Sequence, residues 1–185
     1  EVFLVAKRHI ERVQETFGLT HAGHAMAVQT LNVSDEFRAQ LTRIVPAYLS
    51  IGNSLASDDV STAGAIAQLQ QEINAIDSRS LEAKAAERWQ AELKSLASIV
   101  DRLTKAEDIA ALRSAFALLS DELLTLQRTF GIAKSEQLFE MHCPMAFEGR
   151  GATWIQAGSA VRNPYYGATM LKCADRVAPL SPSLP

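Results

Sequence analysis

The chain has 185 residues, 48% of them hydrophobic, and a formal net charge of −3 with both signs well mixed. That suits one domain with a real core and a small appendage, and it lacks the basic stripe that nucleic-acid binding wants. No apolar run is long enough to cross a bilayer. The first residue is Glu1 and no signal peptide is visible, so the chain reads as a processed product or an excised piece of something longer. Two cysteines cannot build a disulfide framework, but they can make one bond or one metal site.

Residues 1–32 form an N-terminal region of mixed character. Glu1 to Ala6 reads as a short strand, Lys7 to Phe17 as a charged helix ending at Gly18, and His21 to Met26 as a connector. From Ser34 the pattern is clear. Phe37, Leu41, Ile44, Tyr48, Ile51 and Leu55 recur at helical spacing and make one stripe, with Ser34 as N-cap and Pro46 as the cause of a kink. A second helix starts after Asp58 or Asp59, with Ala63, Ile66, Leu69 (or Gln70), Ile73 and Ile76 on its apolar face. Ser80 is placed to cap a third, whose stripe is Leu81, Ala85, Trp89, Leu93, Leu96, Val100 and Leu103. Thr104 and Glu107 have capping-box spacing ahead of a fourth, carrying Ile109, Leu112, Phe116, Leu119, Leu123, Leu126 and Phe130 and closed by Gly131.

The expected fold is therefore all-α: an antiparallel up-and-down four-helix bundle over residues 33–138, with a loop-rich Cys/Met tail over 139–185 packed on it. Each buried Leu, Ile or Phe contributes roughly 1.5–3 kcal/mol, so the bundle should fold without a metal. Between Ser34 and Glu140 there is no His, Met or Cys, which removes di-iron and c-type haem sites from the bundle. Its carboxylates, among them Glu82, Glu87, Glu92, Asp121 and Glu122, are expected on solvated faces.

The chemistry concentrates in the tail. Met141-His142-Cys143-Pro144-Met145 and Met170-Leu171-Lys172-Cys173 hold both cysteines and three of the four methionines, with Glu148 the one carboxylate between them. Thiolates and thioethers select copper(I) and related soft ions. Cys143 and Cys173 lead the candidate ligands, then Met145 and Met170, then His142 and Met141. In an extended segment Met141, Cys143 and Met145 share one face and His142 takes the other. Met170 and Cys173 share a face on a helical turn. A disulfide between Cys143 and Cys173 is the competing reading, and methionine is also ordinary core filler. A Cys–His nucleophile is disfavoured, because neighbouring residues diverge in a strand and no orienting group is evident. His21, His24 and Met26 form a weaker second metal candidate, against the plainer reading as a polar connector.

Three motifs carry a resemblance: His142-Cys143-Pro144-Met145; Gly151-Ala152-x-Trp154-Ile155-Gln156; and Asn163-Pro164-Tyr165-Tyr166-Gly167-Ala168-x-Met170-Leu171-x-Cys173. Together they resemble a domain, formerly of unknown function, found at the C-terminus of periplasmic adaptor (membrane fusion) proteins of heavy-metal efflux pumps and as stand-alone secreted proteins. The resemblance covers residues 139–174 and extends over the bundle from Ser34. It implies a periplasmic location, copper(I) or silver(I) as the bound ion with zinc less favoured, and an efflux pump or adaptor assembly as partner. Cys143, Met145, Met170 and Cys173 fall on the motif positions. Cys-Pro-Met is also similar to the Cys-Pro-Met-His-Pro segments of copper-handling proteins, but Ala146 and Phe147 replace the His-Pro here. Under this resemblance Glu1 to Ala6 would end the adaptor's β-rich part. The expected role is a non-enzymatic metal-capture domain. The alternative is a structural or interaction domain, stapled by a disulfide, that docks to an efflux assembly.

Overall fold

The computed structural model describes residues 30–132 and 137–180. The expected N-terminal strand and helix, and the candidate ligands His21, His24 and Met26, lie outside the described residues.

Five helices come first: α1 Asp35–Thr42, α2 Ile44–Ala56, α3 Ala63–Asn74, α4 Ala83–Thr104 and α5 Ile109–Thr129. The first expected helix exists as two pieces. Pro46 has no N–H for the Thr42 carbonyl and its ring crowds that oxygen, so α1 closes with Arg43 N–H donating to the Gln40 carbonyl at 3.1 Å. The stripe survives the break: Phe37, Leu41, Ile44, Tyr48, Ile51 and Leu55 are all buried. Ser34 caps α1 by accepting from the Phe37 N–H at 3.2 Å. Gly131, at φ +82°, ends α5 with a left-handed turn that glycine adopts without strain. Two expected caps are replaced. Glu82, not Ser80, precedes α4 and makes no side-chain cap. Asp108, not a Thr104–Glu107 box, caps α5 by accepting from the Ala111 N–H at 2.7 Å, while the Thr104 hydroxyl donates back to the Val100 carbonyl inside α4.

Packing pairs run α2–α3, α3–α4, α4–α5 and α5–α2, which closes a four-helix ring. At one end Phe37, Trp89 and Phe130 meet edge to face, with centroids 5.5–6.2 Å apart. Nearer the other, Tyr48 stacks on Phe116 at 4.9 Å. Gly52 permits that stack, because a Cβ there would lie 2.9 Å from the Phe116 ring.

The expectation of an all-α chain is wrong beyond α5. The helical bundle core stands, but the C-terminal part carries a three-stranded antiparallel sheet of order β2–β1–β3, from β1 Leu138–Cys143, β2 Ala152–Ala157 and β3 Arg176–Pro179. The Cys/Met tail is thus a sheet layered on α2 and α5 rather than loops on a bundle. In β1 burial alternates strictly, with Phe139, Met141 and Cys143 inward. In β2 Trp154, Ile155 and Gln156 are buried in succession, so no period of two is visible there. β3 is only four residues long. Short strands with one hidden period left no sustained signal.

A second correction concerns charge. Glu92 on α4 and Glu122 on α5 are not solvated; they are 5% and 9% exposed and face each other across the helix seam, each with its Oε1 buried and without a hydrogen-bond partner. Arg88 pairs with Glu92, and the Ser95 hydroxyl donates to Glu122 at 2.6 Å. Burial, then the neighbouring Glu92 carboxyl, pushes the Glu122 carboxyl up to about 7. A carboxyl whose folded pKa is raised holds its proton in the native state and not in the unfolded chain. Its stabilising contribution is therefore complete below pH 4.5, the ordinary value for Glu122, and is lost as pH rises through about 7. Glu122→Gln keeps the Ser95 hydrogen bond without the charge. It should melt higher than wild type at pH 8, by about 1–3 kcal/mol, and the same as wild type near pH 4.5. Equal melting at both pH values would mean that Glu122 carries no buried charge.

Candidate functional site

The site is built where β1 ends. Strand alternation sends Met141 and Cys143 into the core and His142 to the opposite face. Pro144 then stops the strand, and the chain reverses through a tight loop into β2. Phe147, Glu148, Gly149 and Gly151 all have positive φ there, and the loop is closed by Gly151 N–H donating to the Ala146 carbonyl at 3.0 Å. Gly151 is also required because a Cβ would lie 2.7 Å from His142 Nε2.

The second cysteine arrives on the segment after β2, and the Asn-Pro-Tyr-Tyr-Gly motif positions it. Asn163 is fully buried. Its Oδ1 accepts from the Tyr165 N–H at 2.8 Å, and its Nδ2 donates to the Cys173 carbonyl at 2.9 Å. Its own N–H donates to the Leu171 carbonyl at 2.8 Å. Gly167, at φ +58°, sits where any side chain would collide with the Asp58 carboxylate. Asp58 in turn accepts from the Ala168 N–H at 2.8 Å and from Arg113 at 2.7 Å. Those donors, the Ala168 N–H first, hold the Asp58 carboxyl below the usual range. Arg113 also donates to the Pro164 carbonyl at 2.8 Å, which ties the motif to α5.

The result brings the two cysteines together. Cys143 Sγ and Cys173 Sγ lie 3.0 Å apart as free thiols, Cys143 buried and Cys173 partly exposed. This separation exceeds the roughly 2.05 Å of a disulfide and is less than the roughly 3.8 Å between two sulfurs held at about 2.3 Å on a tetrahedral ion. The hydrogen bond shared with Cys143, then burial, pushes the Cys173 thiol up to about 11, partly opposed by a hydrogen bond from the Met145 backbone.

The remaining candidates separate. Met145 leaves the strand before it could share the face of Cys143, and its side chain is 51% exposed beside the Cys173 segment. Met170 ends a short 3-10 turn, Gly167–Met170, and its carbonyl accepts from the Cys173 N–H at 2.9 Å. Met141 lies wholly in the core, paired across the sheet with Trp154 and Val177. His142 faces away from the sulfurs, with its Nδ1 2.7 Å from Asp175 Oδ1. It lines a separate open cleft of about 420 Å3 together with Asp121, Arg150 and Thr153. His142, first among the causes, holds the Asp175 carboxyl below its ordinary value. Sequence reasoning missed Asp175 as the orienting partner of His142. It also missed the holding roles of Asn163 and Tyr166, whose motif was noticed only as a resemblance. Among the described residues no group of three or more His, Cys, Asp or Glu side chains could hold a metal ion. An ion at the sulfur pair would have to draw further donors from elsewhere; Met145 and Met170 lie on the two segments that carry the cysteines.

A family model described as "Protein of unknown function (DUF3347)" matches residues 44–135, the helices α2 to α5. The match ends before both cysteines. No curated protein and no solved structure matches the chain. Among the described residues no helix is long and apolar enough to cross a membrane.

Asn163→Ala should leave the Tyr165 N–H and the Cys173 carbonyl without their partner, at a cost of about 1–3 kcal/mol. Helical circular dichroism should be unchanged, while Cys173 should alkylate several-fold faster and proteolysis between β2 and β3 should increase. Unchanged Cys173 reactivity would show that the asparagine does not hold that segment.

Proposed function

We propose that the chain is a soft-metal capture domain that binds copper(I) or silver(I) through Cys143 and Cys173, with Met145 and Met170 as supporting thioethers, and passes the ion to a heavy-metal efflux adaptor or pump in the periplasm. The observation that carries this reading is the convergence of both cysteines of the chain, 30 residues apart in sequence, to a sulfur separation of 3.0 Å. Sulfur donors favour copper(I) and silver(I) over ions that prefer oxygen. The pump, the adaptor and the compartment rest on the motif resemblance alone.

The same closeness supports one rival, a structural disulfide that staples the sheet while the bundle serves as a docking element. Oxidation would join the sulfurs after a movement of about 1 Å towards the bonded length of about 2.05 Å, and metal binding would instead spread them. Thiol redox catalysis is less well supported, because a reactive cysteine needs a depressed pKa and the Cys173 thiol is pushed up to about 11.

The reduced protein should bind copper(I) or silver(I) at one principal site and prefer either to zinc. Met145→Leu with Met170→Leu conserves volume and should weaken copper(I) binding while leaving the fold and residual zinc binding nearly unchanged. Cys143→Ser with Cys173→Ser should weaken both metals. Competition titrations on the two double variants distinguish the ligands. Copper(I) affinity indifferent to the cysteine pair would overturn the proposed site and turn attention to His21, His24 and Met26. Thiols that cannot be titrated without a reductant would favour the disulfide.

A further inference from the structure

Tyr166 is the second tyrosine of the Asn-Pro-Tyr-Tyr-Gly motif, and its phenol does not follow that of Tyr165. Tyr165 turns inward and donates to the Thr153 carbonyl at 2.6 Å. The Tyr166 hydroxyl instead crosses to the other sulfur-bearing segment and donates to the Met145 carbonyl at 2.5 Å. The Met145 backbone also lies near enough to the Cys173 thiol to oppose the upward push on its pKa. The residue is thus tied through its carbonyl to the segment that carries Cys173. No other backbone of the β1–β2 loop is tied to that segment by an interaction of this kind among the described residues. Its side chain is half exposed and belongs to the residue two positions beyond Cys143.

From this clamp we infer that Tyr166 is a positioning residue that sets the ion selectivity of the site by holding the Met145 thioether within reach of the two cysteines. The inference rests on the proposed soft-metal reading. Its physical basis is the difference between the two ligand classes. Two thiolates alone serve copper(I), silver(I) and zinc, and a thioether adds affinity for the soft ions only. Met145 has three side-chain torsions and lies on a loop, so its ordering costs rotamer and backbone entropy unless something fixes the backbone first. The hydrogen bond from the rigid phenol does that at the carbonyl, beside the Gly149 N–H that donates to it at 3.3 Å, and without touching the ion. Tyr166 therefore acts through Met145 and not as a ligand.

The test uses the whole chain, reduced, with silver(I) and zinc as the probes. In the metal-free protein, Tyr166→Phe should raise hydrogen–deuterium exchange at the Met145 amide while β1 stays protected and the melting curve barely moves. In titrations it should weaken silver(I) binding about tenfold, the scale of one hydrogen bond, and leave zinc binding unchanged. In a Met145→Leu background the same substitution should have no effect on silver(I), because the thioether it positions is gone. An equal loss in that background, or a parallel loss of zinc, would overturn the inference by showing that the tyrosine acts on the fold or on Cys173. Wild-type protein that binds silver(I) but is indifferent to Tyr166→Phe would overturn it while leaving the proposed function standing. Wild-type protein that binds no silver(I) would overturn both.

Discussion

The sheet stays on the bundle because of one buried chain of hydrogen bonds, and the candidate site depends on it. The Ser120 hydroxyl donates back to the Phe116 carbonyl within α5 at 2.9 Å. Its oxygen is 2.8 Å from the Tyr48 hydroxyl of α2, and Tyr48 in turn accepts from the Ile155 N–H of β2 at 2.9 Å. With the serine proton committed to the carbonyl, the tyrosine proton goes to the serine and its lone pair is left for the strand, so each group is satisfied once. Burial pushes both the Tyr48 and Tyr165 hydroxyls well above the ordinary tyrosine value, which keeps them as donors. In a dry setting a strand N–H without such a partner would cost about 1–3 kcal/mol. The bundle is thus the surface on which the register of β2 is fixed. Through the antiparallel pairing Cys143↔Ala152, β2 fixes the end of β1.

Cys173 is placed by separate means. Its segment is anchored by Asp58 and Arg113 at the edge of the bundle and by Asn163 within its own loop. The two sulfurs therefore meet because two anchorages agree, one through the sheet and one through the motif, joined by the Tyr165 and Tyr166 hydroxyls. This arrangement does not require a covalent bond to hold the tail in place. It also means that the pair can open without unfolding either anchorage, since Cys143 sits at a strand end and Cys173 in a turn. An ion that needs about 3.8 Å between sulfurs asks for less than 1 Å beyond the 3.0 Å present.

Much of the bundle was legible in the sequence. A stripe of large apolar residues at helical spacing has few alternatives, and Phe37, Leu41, Ile44, Tyr48, Ile51 and Leu55 are buried where the spacing placed them. The break at Pro46 and the glycine stop at Gly131 follow from backbone chemistry that context rarely overrides. Caps were less legible, since Ser80 and Asp108 are both good N-caps by type and only the tertiary path chooses between such positions. The sheet was not legible as a sheet. β1 does alternate, yet six residues are too few to outweigh the glycines and prolines around them, and β2 buries three successive side chains, on both of its faces. Glu92 and Glu122 misled for a related reason: a carboxylate on a helix is solvated by default, and only partners such as Arg88 for Glu92 and Ser95 for Glu122 make burial tolerable.

Within the site, alternation separated His142 from Cys143 correctly because strand geometry leaves no choice, but it could not say that Met145 had already left the strand. That depended on Pro144 and on a loop in which Phe147 and Glu148 adopt left-handed conformations. Such conformations are uncommon for residues with a Cβ, and composition does not announce them. The consequence is chemical. Had the strand continued, Met145 would lie on the face of Cys143 and be sealed in the core as Met141 is. By turning, the chain brings the Met145 side chain out towards solvent and hands its carbonyl to Tyr166. Of two methionines four residues apart, one is therefore packed in the core and the other exposed, and the residue that divides their fates is the proline between them.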